Sequence, residues 1–187
     1  MNNSIFSKLL YEFEGFKFFI RNIKGARPLS AMQDTSYQNY QLTGLTRDCV
    51  EEVDKLHKSV RNGRGLNFWR KLFMRLSGSK VCSVAINKRG QLVGFNYYYF
   101  RENEVNKGII HDAYLGISPN ERGKGIGTAL QAYSVDQFKT QPLSGISGNV
   151  SKVNTPSVKM LERVGFMVFD DPDDDTNCKI FYNLNEN

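Results

Sequence analysis

Leu115-Gly116-Ile117-Ser118-Pro119-Asn120-Glu121-Arg122-Gly123-Lys124-Gly125-Ile126-Gly127 joins a run of β-branched and aromatic residues, Gly108 to Ile117, to a helical run from Gly125 to about Thr140. Glycines at 123, 125 and 127 let the backbone turn tightly and approach a ligand without side-chain obstruction. Their amides, with the unpaired N–H groups of the helix that starts there, make a concave nest for phosphate oxygens, and Arg122 and Lys124 add countercharge. The segment therefore predicts a pyrophosphate cradle. Other phosphate loops fit less well. A Walker loop needs four residues between its first glycine and Gly-Lys-Ser/Thr, which is absent here. A dinucleotide fingerprint needs glycine or alanine where Thr128 stands, and an acidic residue at the end of the next strand, where Val150 stands.

Upstream of the loop, Val81 to Asn87, Gln91 to Arg101 and Gly108 to Ile117 read as an antiparallel meander, with Lys88-Arg89-Gly90 as the first hairpin turn. Before them come a short strand, Tyr40 to Leu42, a helical run from Arg47 to Val60 and a second helix from Leu66 to Leu76. Downstream the pattern gives a strand from Leu143 to Val150, a helix from Thr155 to Val164, and strands near Phe166 to Phe169 and Lys179 to Leu184. Asp170 to Asp175 reads as a solvated hairpin connection rather than a metal site. No internal repeat is visible.

On Arg122, Gly125 and Gly127 the sequence resembles the GNAT superfamily of N-acetyltransferases, whose signature is Arg or Gln, two residues, Gly, one residue, then Gly or Ala. Leu115, Ile117 and Pro119 before the loop and the block Asn154 to Phe166 after it extend the resemblance, and the element order from about Tyr40 to Leu184 follows the family. The resemblance implies an α/β fold: a mixed, mostly antiparallel central sheet flanked by helices, splayed between the fourth and fifth strands. It implies acetyl-CoA as acyl donor and a small-molecule primary amine as acceptor, with direct attack in a ternary complex and no metal. Arg122, Gly123, Lys124, Gly125, Ile126 and Gly127 would hold the coenzyme A pyrophosphate, with Thr128 adding a hydroxyl. Pantetheine would pair like an added strand with the backbone of Leu115, Gly116 and Ile117, one of whose N–H groups would polarise the thioester carbonyl. Asn154 would touch the pantetheine arm or the adenine side, and is equally suited to cap the helix beginning at Thr155.

The family's tyrosine, seven residues after the distal Asn, is replaced by Leu161. A thiol of pKa about 8.5 leaves as an anion at a cost of roughly 2 kcal/mol at pH 7, whereas deprotonating a lysine-like amine costs about 4 to 5 kcal/mol. The base is therefore the group to look for. His111 and Asp112 are the candidates at the start of the strand leading to the loop. His111 is the stronger because its reference pKa is near neutrality and it falls where histone-type members carry their carboxylate. Strict alternation puts His111, Ala113 and Leu115 on one face and Asp112 on the other. Leu161 also suits a coenzyme A-binding sensor without catalysis. Tyr97 to Phe100 suit either an acyl pocket for a longer donor or plain core. Arg61-Asn62-Gly63-Arg64-Gly65 reads as a mobile, cationic lip, hence an anionic acceptor such as an amino sugar nucleotide.

At 187 residues the chain has length for one domain and an extension, and 40% hydrophobic content with 13 Phe and 9 Tyr excludes a disordered chain. A net charge of +6 suits an acidic partner, but the basic residues are dispersed and no nucleic-acid motif is present, so nucleic acid is not expected. Cys49, Cys82 and Cys178 lack the spacing of a zinc site or a disulfide framework, and Cys82 reads as core. Ile5, Phe6, Leu9, Leu10, Phe13, Phe16 and Ile20 predict an amphipathic N-terminal helix, weakened by Gly15. It would pack on the domain, pair with a second copy in a homodimer, or lie on an anionic membrane beside Lys8, Lys17, Arg21 and Lys24. The polar stretch Ser30 to Asn39 suggests a boundary, giving an extension over 1–36 and a catalytic domain over 37–187. Without a basic n-region or a long apolar run, the expected location is the cytoplasm.

Overall fold

The computed structural model describes residues 2–186. Eight strands form one sheet: β1 (Thr35–Tyr37), β2 (Tyr40–Gly44), β3 (Cys82–Asn87), β4 (Leu92–Tyr99), β5 (Ile109–Ile117), β6 (Gly145–Ser151), β7 (Met167–Asp171) and β8 (Asp174–Asn183). Their order is β1-β2-β3-β4-β5-β6-β8-β7, and every neighbouring pair is antiparallel except β5 with β6. Among the described residues five α-helices accompany it: α1 (Asn2–Ala26), α2 (Val50–Val60), α3 (Phe68–Val81), α4 (Ile126–Lys139) and α5 (Thr155–Val164). Adjacent residues of β4 report the layers: Tyr97 meets Phe73 of α3, while Tyr98 meets Phe138 of α4 edge-on. Thus α2 and α3 cover one face, and α4, with α5 beside it, covers the other. Among the described residues, no helix is long and apolar enough to cross a membrane.

The parallel pair is short, and that decides the site. Ile109 to Asp112 pair with Gly145 to Gly148, after which Tyr114–Ile117 stay with β4 and Asn149–Ser151 stay with β8. The sheet forks between the fifth and sixth strands, one later than the sequence count. The extra strand is β1, which forms a hairpin with β2 inside the stretch expected to be a polar boundary, and it crosses residues 36 and 37. Its side chains are mostly exposed, so it gives no apolar alternation to read; backbone pairing holds it. Leu29 and Met32 just before it are buried, and Met32 N–H donates to Ser79 O at 2.8 Å.

A bulge shapes the same strand. Tyr97 faces Tyr114 and Tyr98 faces Asp112, leaving Ala113 without a partner on β4. Alternation therefore breaks at 113. Leu115 and Ile117 both face the first turn of α4, where a Cβ on Gly127 would meet each at 3.7 Å. Leu115 thus lies on the face of Asp112, which reaches Gln131 of α4, and not on the face of His111.

α1 packs its inner face on α3 and on the end of β4. Asn22 is fully buried: its Oδ1 accepts the Phe100 N–H at 2.6 Å, and its Nδ2 donates to Phe18 O at 2.8 Å. Phe6, Leu9, Leu10, Phe13, Phe16 and Ile20 remain exposed on the helix. Gly15 does more than weaken α1, because a Cβ there would sit 2.1 Å from Cδ1 of Trp69, whose Nε1 donates to Glu12 at 2.8 Å. Gly15→Ala is accordingly expected to lower the melting temperature in thermal unfolding, although helix propensity alone would gain about 1 kcal/mol. A rise would show that Trp69 yields without cost.

The acidic run Asp170–Asp175 is the β7–β8 hairpin. Asp170 pairs with Lys152 and Asp171 with Lys179, each at 2.8 Å, and Asp174 accepts from Thr176 and Asn177.

Candidate active site

After β5, a 3-10 turn over Pro119–Glu121 leads to the glycine loop. Gly123 (φ +76°) and Gly125 (φ +78°) both occupy the left-handed region that side-chain-bearing residues avoid. α4 begins at Gly125 without a side-chain cap, and its first helical bond runs from Ala129 N–H to Gly125 O. The amides of residues 126–128 precede that bond and point out of the helix end, giving the concave donor array the sequence predicts. The countercharge is smaller than expected. Lys124 Nζ lies 2.8 Å from Glu121 Oε2, which also accepts the Tyr40 hydroxyl at 2.6 Å. Arg122 is exposed, and its Nε reaches Ile117 O at 3.4 Å. Thr128 lines a hollow between α4 and β1, with Tyr37 and Tyr133.

The fork opens into a cleft of 420 Å³. α2 contributes His57 and Arg61, β5 contributes His111 to Leu115, α4 contributes Gln131, and α5 contributes Asn154, Ser157 and Leu161. Asp112 stands at the apex, the last β5 residue paired with β6. One oxygen, Oδ2, accepts from Gln131 Nε2 at 2.7 Å. Gln131 Oε1 accepts from Asn96 Nδ2 at 2.7 Å, and Asn96 Nδ2 also reaches the Tyr98 hydroxyl at 2.6 Å. This buried amide chain fixes the carboxylate while burial pushes its pKa up to about 6, the Gln131 and Asn96 hydrogen bonds opposing the rise.

His111 differs from expectation. It is 4% exposed, its Nδ1 is 3.0 Å from Ser147 Oγ, and Glu104 Oε2 is 4.0 Å from the same nitrogen. Burial, with Arg101 nearby, pushes its pKa down to about 3. The near-neutral value that recommended it therefore belongs to Asp112, because the same desolvation lowers a cation's pKa and raises an anion's. Asn154 serves as cap, its Oδ1 accepting from Ser157 N–H at 3.4 Å, and still lines the cleft. Tyr97, Tyr98 and Phe100 are core, and only Tyr99 of that run reaches the cleft. Cys82 is fully buried, with its thiol pKa raised by burial.

The lip over 61–65 is pinned rather than loose. Gly63 N–H donates to Lys58 O at 2.9 Å, Leu66 N–H donates to Asp54 Oδ1 at 2.7 Å, and Arg64 O bonds the ring of His57. Gln131 and His57 are the site residues that pattern reading missed. Gln131 carries a signal, an amide beside Leu130 on the buried side of α4; His57 carries one as well, since it falls between Val53 and Val60 on the apolar stripe of α2.

Residues 45–166 match the sequence profile of the acetyltransferase (GNAT) family. The chain belongs to the GNAT acetyltransferase family. Mycothiol acetyltransferases are among its relatives. That of Renibacterium salmoninarum is 30% identical over 88 residues, 46% of this chain and 26% of the relative. That of Salinispora tropica is 32% identical over 84 residues, 44% of this chain and 27% of the relative. The aligned stretch thus spans about a quarter of each of these longer proteins. Among solved structures, a putative acetyltransferase of Salmonella typhimurium with acetyl-CoA superposes with a TM-score of 0.64 at 14% identity, covering 80% of this chain and 96% of that one. The diaminobutyrate acetyltransferase of Paenibacillus lautus, with its substrate and coenzyme A, gives 0.58 at 17%, covering 81% and 99%. Both show the same fold. The GNAT match begins at residue 45, so α1, β1 and β2 lie outside it.

Proposed function

We propose that this GNAT protein transfers acetyl from acetyl-CoA to the primary amine of a small molecule, by direct attack in a ternary complex. The carrying observation is the fork itself, a β5 edge over Ala113–Ile117 left unpaired by β6, which leads through the glycine loop to the uncapped amides of α4. A molecule with strand-like amides and a pyrophosphate matches both halves at once. One of the backbone N–H groups of residues 115–117 on that edge polarises the thioester carbonyl.

Asp112 takes the proton. As the C–N bond forms, the attacking nitrogen becomes cationic and its acidity rises, so a carboxylate of pKa about 6 suffices. The C–S bond then breaks, the electron pair stays on sulfur, and the proton gained by Asp112 is at hand for the thiolate. The products are the N-acetyl amine and free coenzyme A. Arg61 and Arg64 are exposed at the lip, and their charge favours an acceptor with anionic or hydroxyl groups, such as an amino sugar or its nucleotide. A diaminobutyrate acetyltransferase and a spermidine N-acetyltransferase among the fold neighbours are consistent with a small amine.

Calorimetry with coenzyme A, followed by free-thiol release from acetyl-CoA across a panel of amino sugars, diamines and amino acids, tests the reading. Leu161 favours the rival of a coenzyme A sensor without catalysis, since it is buried in the cleft wall where the family's phenol would stand. Leu161→Tyr is expected to change turnover by no more than about 30-fold, because about 2 kcal/mol of leaving-group stabilisation is available at most. A native protein that binds coenzyme A but releases no thiol, and becomes active with the tyrosine, would establish the sensor.

A further inference from the structure

α2 carries into the cleft wall an imidazole with a fixed tautomer and an idle lone pair. His57 is 4% exposed, and its Nδ1 lies 2.8 Å from the carbonyl oxygen of Arg64. A carbonyl oxygen can only accept, so Nδ1 carries the hydrogen and Nε2 the lone pair. Nε2 is buried and has no hydrogen-bond partner among the described residues. The ring stands edge-on to Tyr114, centroids 4.8 Å apart, and the Arg61 guanidinium lies 5.1 Å over the Tyr114 ring. A buried acceptor without a donor destabilises the fold, a cost that an arriving N–H group removes. Apolar neighbours explain burial of the ring; they do not explain an unmet nitrogen in the wall of a cleft.

We propose that His57 Nε2 accepts a hydrogen bond from the acceptor's amino group and so turns the nitrogen lone pair toward the thioester in the fork, with Asp112 beside it to take the second hydrogen. The inference rests on the acetyl-transfer reading above. Tyr114, half-buried, and Arg61, exposed, are the side chains that rotate to admit the amine. The arrangement also names a chemical class. In the adduct a primary amine nitrogen holds two hydrogens, one for His57 and one for Asp112, whereas a secondary amine holds one and must forgo a partner. The site therefore selects primary over secondary amines by hydrogen count, independently of size.

The experiment uses the full chain, labelled with ¹⁵N in its histidines, saturated with coenzyme A and titrated near neutral pH with methoxyamine and then with N-methylmethoxyamine, weakly basic probes that stay uncharged there and so carry two hydrogens and one. The expected result is a saturable shift of the His57 Nε2 resonance with methoxyamine, and affinity about tenfold weaker for the N-methylated probe, the equivalent of about 1.4 kcal/mol. His57→Phe should abolish the discrimination between the probes and weaken methoxyamine about tenfold, while coenzyme A affinity and melting temperature stay equal or rise, because an unmet acceptor has been removed. His57→Gln, which restores an acceptor near Nε2, should recover part of the preference. An Nε2 resonance that stays in place up to the highest methoxyamine concentration, in protein that binds coenzyme A normally, overturns the inference alone. A His57→Phe protein that melts lower yet keeps both amine affinities overturns it too and assigns His57 to packing. Failure of the native chain to bind coenzyme A overturns the underlying reading instead.

Discussion

Gly125→Val is expected to weaken coenzyme A binding by about 10²-fold, equivalent to roughly 2.7 kcal/mol, in calorimetry on the folded protein. Two effects combine. Valine is disfavoured at φ +78°, and a Cβ at this position would lie 2.5 Å from the Tyr37 hydroxyl. The new side chain thus presses on Tyr37 from behind the loop, and the damage reaches the ligand through displaced amides of α4. Gly90 is a matched control, since it also has a left-handed φ, +73°, but a Cβ there meets nothing within 4 Å. Gly90→Val should lose comparable backbone stability while leaving coenzyme A affinity intact. Adding Tyr37→Ala to Gly125→Val should recover the part of the loss that is due to crowding. Undiminished affinity in a folded Gly125→Val protein would remove the loop from the binding site.

Asp112→Asn is expected to lower the maximal rate by about 10²-fold or more at pH 7, with coenzyme A affinity nearly unchanged. The native rate should rise with pH through the Asp112 pKa of about 6, and the variant should lack that limb. Stability should move the other way. Because the folded pKa is raised above the ordinary aspartate value, the stabilising contribution of the protonated group is complete below that ordinary value and is lost as pH rises through about 6. Asparagine escapes that loss, so the variant should gain about 1–2 kcal/mol at pH 8 and nothing near pH 4, with the figure discounted for partial exposure. Thermal melts at both pH values check it. His111→Ala provides the contrast: with a pKa of about 3 it is neutral throughout this range, and its loss should leave the shape of the rate profile unaltered. A rate limb near pH 6 that survives Asp112→Asn and vanishes with His111→Ala would return the base to His111.

The glycine loop, the meander before it and the Asn154 to Phe166 block determine the family and the order of elements by local rules alone. Left-handed turns demand glycine, strands show alternation, and the cap at Asn154 satisfies an amide three residues away. These interactions close within a few residues, so residue order carries them. What tertiary structure decided depends on partners far apart in the chain. β1 exists because β2 offers its edge, not because Thr35–Tyr37 has a strand-like pattern. The bulge at Ala113 is a mismatch between two strands, and neither sequence shows it alone; it moves Leu115 to the other face. His111 and Asp112 are neighbours in sequence with reference pKa values that favour the histidine as base, yet burial drives them in opposite directions and reverses their suitability. The idle nitrogen of His57 needs the Arg64 carbonyl to fix its tautomer and the closed packing of the cleft wall to leave it unmet. Desolvation and long-range pairing are properties of the assembled chain, and they select the chemistry of a site whose location the local sequence already marks.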